Sequence, residues 1–260
     1  MDRFLDPLLA LCDRAATEIL AVYATEFAVA TKADDSPLTE ADARAHRVLV
    51  EGLSALTPDL PVLSEESAAV PWAERRRWER FWLVDPLDGT KEFIGRNGEF
   101  TVNIALIERG RPIVGVVQVP VTGVAYCAAA GVGAFRRDPG GVPRAIATRR
   151  PAALPPRIVA SRSHRGPDLD AWLAALGPHA IVSVGSSLKF CTVAEGAADV
   201  YPRLGPTMEW DTAAGQCVAE CAGARVRVAD GSPLRYGREQ LLNPSFVVDG
   251  DPALSLPAWR

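Results

Sequence analysis

Lysine is the residue this chain has least reason to be short of. Among 28 basic side chains only Lys32, Lys91 and Lys189 are lysine. A compact ammonium and a planar guanidinium are not interchangeable, so each remaining lysine raises the question of why arginine did not serve. Disulfide staples are also missing. The five cysteines, Cys12, Cys127, Cys191, Cys217 and Cys221, are odd in number, widely scattered and set in a chain too large to need cross-links. They read as reduced thiols of a cytoplasmic protein. Cys217 and Cys221 lie four apart in a helical stretch, but no third cysteine or histidine completes a zinc site, which leaves them as small buried hydrophobes. Excess positive charge is absent too. A formal net charge of −4 disfavours a general nucleic-acid surface, while leaving room for a small anion held by single basic residues or a metal.

Long apolar spans are wanting as well. Residues 112–135 run for 24 positions without a formal charge, but glycines, prolines, Gln118 and Thr122 break the run into short Val-rich pieces. Consecutive buried strands explain it better than a membrane helix. The first twenty residues mix Asp2, Arg3 and Asp6 with their apolar positions, so no export signal is expected there. There is no internal repeat and no low-complexity tract.

What is present is ordinary globular material: 260 residues, 48% hydrophobic and 23% charged, enough for one large domain or two smaller ones. Residues 4–26 carry apolar side chains at helical spacing, and AVATK (28–32) reads as a short strand. A second helix is expected from about Thr39, then a short strand in LPVLSEES ending at Glu65 and Glu66. A third strand is WLVDPLDGTKEF (82–93). Residues 100–136 alternate strand-like runs with turn signals, the pattern of an antiparallel meander. The Pro- and Gly-rich stretch 138–156 is the expected boundary between an N-terminal α+β part (1–150) and a smaller C-terminal α/β part (151–260). In the latter, strands in RIVASRS, AIVSVGS, ARVRV and SFVVDG alternate with helices in DLDAWLAAL, from about Ser187, and in MEWDTAAGQCVAECAG.

Acidic residues gather where these elements end. Asp42 stands near a helix start, Glu65 after a strand, Asp85 and Asp88 after another, and Asp211 at the opening of a helix. Such positions suit a site, because rigid elements fix each side chain while loops leave it open. Each also has a plainer use: Thr39 with Asp42 resembles a capping box, Asp211 suits a helix start, and Asp88-Gly89 is a common turn pair. Asp85 resists that reading. It follows FWLV directly, and a buried carboxylate costs several kcal/mol unless paired or bound to a metal.

Oxygen ligands in quick succession, such as Asp85, the Leu87 carbonyl and Asp88, suit a hard cation such as Mg²⁺. Gly89 lets the backbone approach a ligand closely and Thr90 adds a hydroxyl. Carboxylates at about 4 Å repel by roughly 4 kcal/mol per pair at an effective dielectric of 20, and a phosphate would add to the conflict unless divalent cations removed it. Such cations clamp the oxygens of an in-line displacement and acidify a water, as phosphate monoester hydrolysis requires.

Three stretches, LSEES (63–67), WLVDPLDGT (82–90) and EWDTAAG (209–215), resemble in order and spacing the signature blocks of the inositol monophosphatase superfamily of lithium-sensitive, Mg²⁺-dependent phosphatases. DGTKEFIGRNGEFTVNIALI (88–107), VASRSH (159–164), GSSLKFC (185–191) and AEGAADVYPRLGPTMEWD (194–211) look like the bacterial 3'(2'),5'-bisphosphate nucleotidases within it. The resemblance covers nearly the whole chain and is weakest at 66–80 and 137–156.

It implies a layered αβαβα fold and hydrolysis of the 3'-phosphate of adenosine 3',5'-bisphosphate to AMP and phosphate, clearing a by-product of sulfate assimilation. It further implies two or three Mg²⁺ ions on Glu65, Asp85, the Leu87 carbonyl, Asp88 and Asp211. Thr90, with Asp42 behind it, and Glu65 match the groups that orient or deprotonate the attacking water. The amides of Gly89 and Thr90 would meet phosphate oxygens. Lys91 and Glu92 replace the small or amide residues of the inositol branch, which favours the nucleotidase. Lys91, Ser186, Lys189, Arg203 and Glu209 become contacts to nucleoside or second phosphate. The same resemblance implies a monomer or homodimer, cytoplasmic or peripheral at the inner membrane face, with no nucleic-acid polymer and no integral membrane segment. Inositol monophosphate or a sugar phosphate is the alternative substrate. A nonenzymatic cation or nucleotide binder would show a lost ligand among the acids or at Thr90, and none is lost.

Overall fold

The computed structural model describes residues 3–31, 37–161 and 166–259. Lys32 and residues 162–164 of the VASRSH stretch lie outside the described residues.

Helix α1 (Leu5–Tyr23) buries Leu5, Leu8, Cys12, Ala15, Ile19 and Val22, the stripe its helical spacing predicts. Strands β1 (Val29–Thr31) and β2 (Pro37–Thr39) form a short antiparallel pair. Helix α2 (Glu40–Leu56) opens on a capping box: Asp42 Oδ2 accepts from the Thr39 amide at 2.8 Å, and the Thr39 hydroxyl accepts from the Ala41 amide. There follow β3 (Val62–Ser64), a 3₁₀ turn (Glu65–Ser67), the short α3 (Trp72–Arg75), β4 (Arg80–Asp88) and the short α4 (Thr90–Ile94). The meander is β5 (Thr101–Glu108), β6 (Arg111–Gln118), β7 (Ala125–Ala129) and β8 (Gly133–Arg137). An unexpected β9 (Arg144–Ile146) pairs with β8 inside the Pro- and Gly-rich stretch.

The second half comprises β10 (Arg157–Ser161), α5 (Pro167–Leu176), β11 (Ala180–Val184), α6 (Leu188–Ala194), β12 (Val200–Arg203), α7 (Glu209–Cys221), β13 (Arg225–Val228) and β14 (Phe246–Asp249). One sheet has the order β3-β4-β5-β6-β7-β8-β9 and the other β11-β10-β12-β14-β13.

Alternation along the strands sets the layers. Trp82 and Val84 on β4, with Val102, Ile104 and Leu106 on β5, pack against α1 and α2. Their neighbours Phe81, Leu83, Ala105 and Ile107 face the opposite way, against α6 and α7. Val159, Tyr201, Phe246 and Val248 of the second sheet cover the far side of those same helices, while Ile158, Val200 and Val247 turn outward onto α5. The result is the expected αβαβα stack, with α6 and α7 as a middle layer shared by both sheets. The uncharged run 112–135 lies in β6, β7 and β8, and no described helix is long and apolar enough to cross a membrane.

The middle layer depends on small residues. A Cβ on Gly115 of β6 would lie 2.7 Å from both the Ala214 carbonyl oxygen and Cys217 Cβ of α7, closer than packed atoms approach. Gly115→Ala should therefore lower stability by about 1–3 kcal/mol, read as a lower urea midpoint. An unchanged midpoint would mean that β6 and α7 do not pack this closely.

Candidate active site

One residue of strand length shapes the site. Asp85 pairs with Asn103 and Asp88 with Thr101, so Pro86 and Leu87 together oppose the single residue Val102, a β-bulge. Residues three apart in a regular strand face opposite ways, whereas Asn103 and Thr101, two apart, face the same way. The extra residue therefore brings both carboxylates onto the side facing α6 and α7. The sequence suggested a turn here; the structure keeps the strand going through a bulge, and the chain turns only at Gly89, whose φ of 93° suits glycine.

Neighbouring elements deliver the rest. β3 runs parallel to β4 with Ser64 beside Val84, so the next residues, Glu65 and Asp85, emerge together at one sheet end. Asp211 comes from the first turn of α7. Glu65, Asp85, Leu87, Asp88 and Asp211 line one cleft of about 280 Å³. Gly89, Thr90 and Lys91 border it from α4, Ser186 and Lys189 from the start of α6, and Arg203 from the end of β12.

Each of three acids is held by one oxygen. Asp85 Oδ1 accepts from the Leu87 amide at 3.0 Å and Asp211 Oδ2 from the Met208 amide at 2.8 Å. Asp88 Oδ2 accepts from the Ser187 amide at 2.6 Å and the Ser187 hydroxyl at 2.7 Å. Burial pushes the Asp85 carboxyl well above the usual range, and Glu65, Asp88 and Asp211 push it further. Burial and Asp88 do the same to Asp211. Among the described residues, Asp85, Asp88 and Asp211 form no ion pair and no three acidic, histidine or cysteine side chains close into a ready-made cage. An open, all-oxygen mouth with surplus negative charge fits Mg²⁺, which keeps several waters and is bound by few carboxylates.

The cleft also has cationic lining. Lys189 is 6% exposed, with Nζ 5.8 Å from the centre of the Tyr201 ring. Burial pushes its ammonium down to about 8, against the attraction of Asp88. Arg203 donates from Nη2 to the Pro206 carbonyl at 2.6 Å, and its buried Nε has no partner. Ser186 holds a φ of 41°, a left-handed conformation costly for a non-glycine residue, and its buried hydroxyl is also unpartnered.

Two of the named residues do not line the cleft. Glu209 is fully buried and does not line the cleft: it accepts from the amides of Gly237 and Arg238 at 2.8 and 3.1 Å and pairs with Arg238 Nε at 3.0 Å. The reason is helical geometry, since residues two apart on a helix point to different sides and Asp211 takes the side toward the cleft. Asp42 is likewise not on the cleft wall; it caps α2. Conversely, Ser187, Tyr201, Thr207 and Thr212 line the cleft and were not singled out, and Glu92, named only as a mark of the nucleotidase branch, lines it too. Only the Ser-Ser pair before α6 carried a readable signal, a serine at a helix start. All five cysteines are free.

A sequence profile of the inositol monophosphatase family matches residues 1–253, and the chain belongs to that family. Its relatives narrow the placement. It is 54% identical over 247 residues to the 3'(2'),5'-bisphosphate nucleotidase CysQ of Escherichia coli (strain K12), spanning 94% of this chain and 98% of that protein. The crystal structure of CysQ from Bacteroides thetaiotaomicron, a bacterial member of the same family, superposes with a TM-score of 0.81 at 43% identity, covering 94% of this chain and 97% of that one. An IMPase from Thermotoga maritima, 23% identical with a TM-score of 0.80 and coverage of 96% and 92%, shares the fold. Neither these likenesses nor the structure carries the expectation of a peripheral place at a membrane, which is not retained.

The strain among the acids has a measurable sign. Without divalent cations, Asp85→Asn should melt higher than the wild type, by about 1–3 kcal/mol, because it keeps the shape and removes a repelled buried charge. Added Mg²⁺ should raise the wild-type midpoint and leave the variant nearly unmoved. A variant less stable than the wild type in chelator would show that Asp85 is not under electrostatic strain.

Proposed function

We propose that the protein is a Mg²⁺-dependent phosphomonoesterase that hydrolyses the 3'-phosphate of adenosine 3',5'-bisphosphate, giving AMP and phosphate. The observation that carries the reading is the cleft's mixed lining, carboxylates together with two cationic side chains. Carboxylates suited to a cation line the same cleft as Lys189 and Arg203, which a ligand with a second phosphate would satisfy and a monophosphate with a neutral ring would leave unpaired. The 54% identity to a bisphosphate nucleotidase supports the same choice.

In this reading Glu65, Asp85, the Leu87 carbonyl, Asp88 and Asp211 would hold the Mg²⁺, two or three ions in number. When bound, the metal supplies Lewis-acid stabilisation of phosphate charge and a water acidic enough to attack near neutral pH. The chain's own groups do the remainder. Glu65 and the Thr90 hydroxyl orient the attacking water, and the Glu65 carboxylate takes its proton; Asp42 supports Thr90 from behind. The amides of Gly89 and Thr90 hold phosphate oxygens in line for displacement of the 3'-oxygen. Lys189 and Arg203 grip the 5'-phosphate, with Lys91 and Ser186 beside the nucleoside. Residues 1–150 thus provide most of the cation site, and residues 151–260 provide Asp211 and the two cationic side chains.

Phosphate release should be fast from adenosine 3',5'-bisphosphate with Mg²⁺, inhibited by Li⁺, and at least tenfold slower in kcat/KM from inositol monophosphate, roughly 1.4 kcal/mol. Asp85→Asn should lose about 10³-fold or more in kcat, roughly 4 kcal/mol, while remaining folded. Preference for inositol monophosphate, or near-wild-type turnover by the variant, would overturn the proposal.

Lys189 adds a pH test. Its ammonium is charged below about 8 in the ligand-free protein and is lost as pH rises through that value, so its hold on a phosphate weakens in the same direction. KM should therefore climb between pH 7 and 9 in the wild type. Lys189→Met should start roughly tenfold or more higher, the scale of a charge-assisted hydrogen bond, and stay flat. Parallel profiles would remove Lys189 from substrate binding.

A further inference from the structure

We propose that Ser187 is a positioning residue that sets the spacing between the two acidic ligands arriving from different layers. The proposal rests on the cation site of the preceding section. Asp88 belongs to a sheet strand and Asp211 to a helix, 123 positions further along the chain, so no local backbone geometry fixes their separation. Ser187 touches both. Its amide and hydroxyl converge on a single oxygen, Asp88 Oδ2, at 2.6 and 2.7 Å. The same hydroxyl lies 2.5 Å from the main-chain carbonyl oxygen of Asp211, and Asn103 Nδ2 donates to it at 2.9 Å.

This arrangement leaves the hydroxyl proton no capacity to spare. With Asn103 filling one lone pair, a single hydroxyl proton serves two acceptors, Asp88 Oδ2 and the Asp211 carbonyl. Ser187 is 2% exposed, and its hydroxyl is committed inward although the residue borders the cleft. The consequence for Asp88 is directional. With Oδ2 pinned from two sides, Oδ1 is the oxygen left for a cation. The bulge supplies the matching support from below, because Asn103 stands opposite Asp85 and reaches across to Ser187. Side chains that hold metal ligands in place typically account for 10- to 100-fold in metal affinity.

The test is Mn²⁺ binding to the intact protein without substrate, followed by the EPR signal of free Mn²⁺, alongside thermal melts in chelator. Ser187→Ala should weaken binding about tenfold, at the lower end of that range. Ser187→Thr and Ser187→Val share a shape and differ by the hydroxyl, so their comparison isolates it even if alanine fails to fold: the threonine variant should bind within about threefold of wild type and the valine variant should not. Thr57→Val removes the hydroxyl that accepts from Trp82 Nε1, on a residue that does not line the cleft. It should lower the melting midpoint and leave Mn²⁺ affinity unchanged. Equal Mn²⁺ binding by the threonine and valine variants, or a loss in Thr57→Val as large as in Ser187→Val, would overturn the role. Wild-type protein that binds Mn²⁺ but leaves adenosine 3',5'-bisphosphate intact would overturn the functional reading alone and leave this one standing.

Discussion

Repulsion between the buried Asp85 carboxylate and its acidic neighbours is the constraint around which the fold is arranged. Asp85 lies at the end of a strand covered on both faces, with Glu65, Asp88 and Asp211 raising the cost of its charge and no cationic side chain of the described residues paired to it. A cluster of this kind pulls against folding unless the surrounding structure holds it. Here the holding is done by main-chain amides at Leu87, Ser187 and Met208, groups that cannot move away without unravelling a bulge or a helix start.

The layered stack explains how such amides come to face one another. Because α6 and α7 are packed between two sheets, their first turns are fixed from both sides. Further bonds keep α7 in place from the outside. The Arg75 guanidinium donates to the carbonyls of Val70, Arg238 and Glu239, and Glu209 holds Gly237 and Arg238. Asn243 closes the ring by donating to the Met208 carbonyl at 2.8 Å. Glu209 thus serves the site at one remove, by fixing the segment from which Asp211 projects.

Much of this was legible from residue order. The meander, the alternating second half and the acidic blocks followed from apolar periodicity and from the oddity of an acid after FWLV. The misses within the site share a cause: side-chain direction is not visible in a string of letters. Glu209 and Asp211 are near neighbours in sequence and diverge on the helix. Ser186 and Ser187 are adjacent, yet only the second turns inward to the acids. β9 was hidden because Arg144, Ala145 and Ile146 offer three residues amid prolines and glycines, too short a run for periodicity to speak. The short helix α4 was hidden for a similar reason, since its five residues form barely more than one turn.

The bulge at Pro86-Leu87 makes the site sensitive to the path of the strand as well as to composition. Many substitutions between Asp85 and Asp88 would leave both acids on the same side of the sheet. Straightening the bulge with the three-residue spacing kept would carry Asp88 over to the face that α1 and α2 cover and dissolve the cluster while every acidic residue remained in the sequence. The irregularity itself is what the cluster depends on, and a relative that kept both acids but ran this strand straight would lose the arrangement without losing either residue.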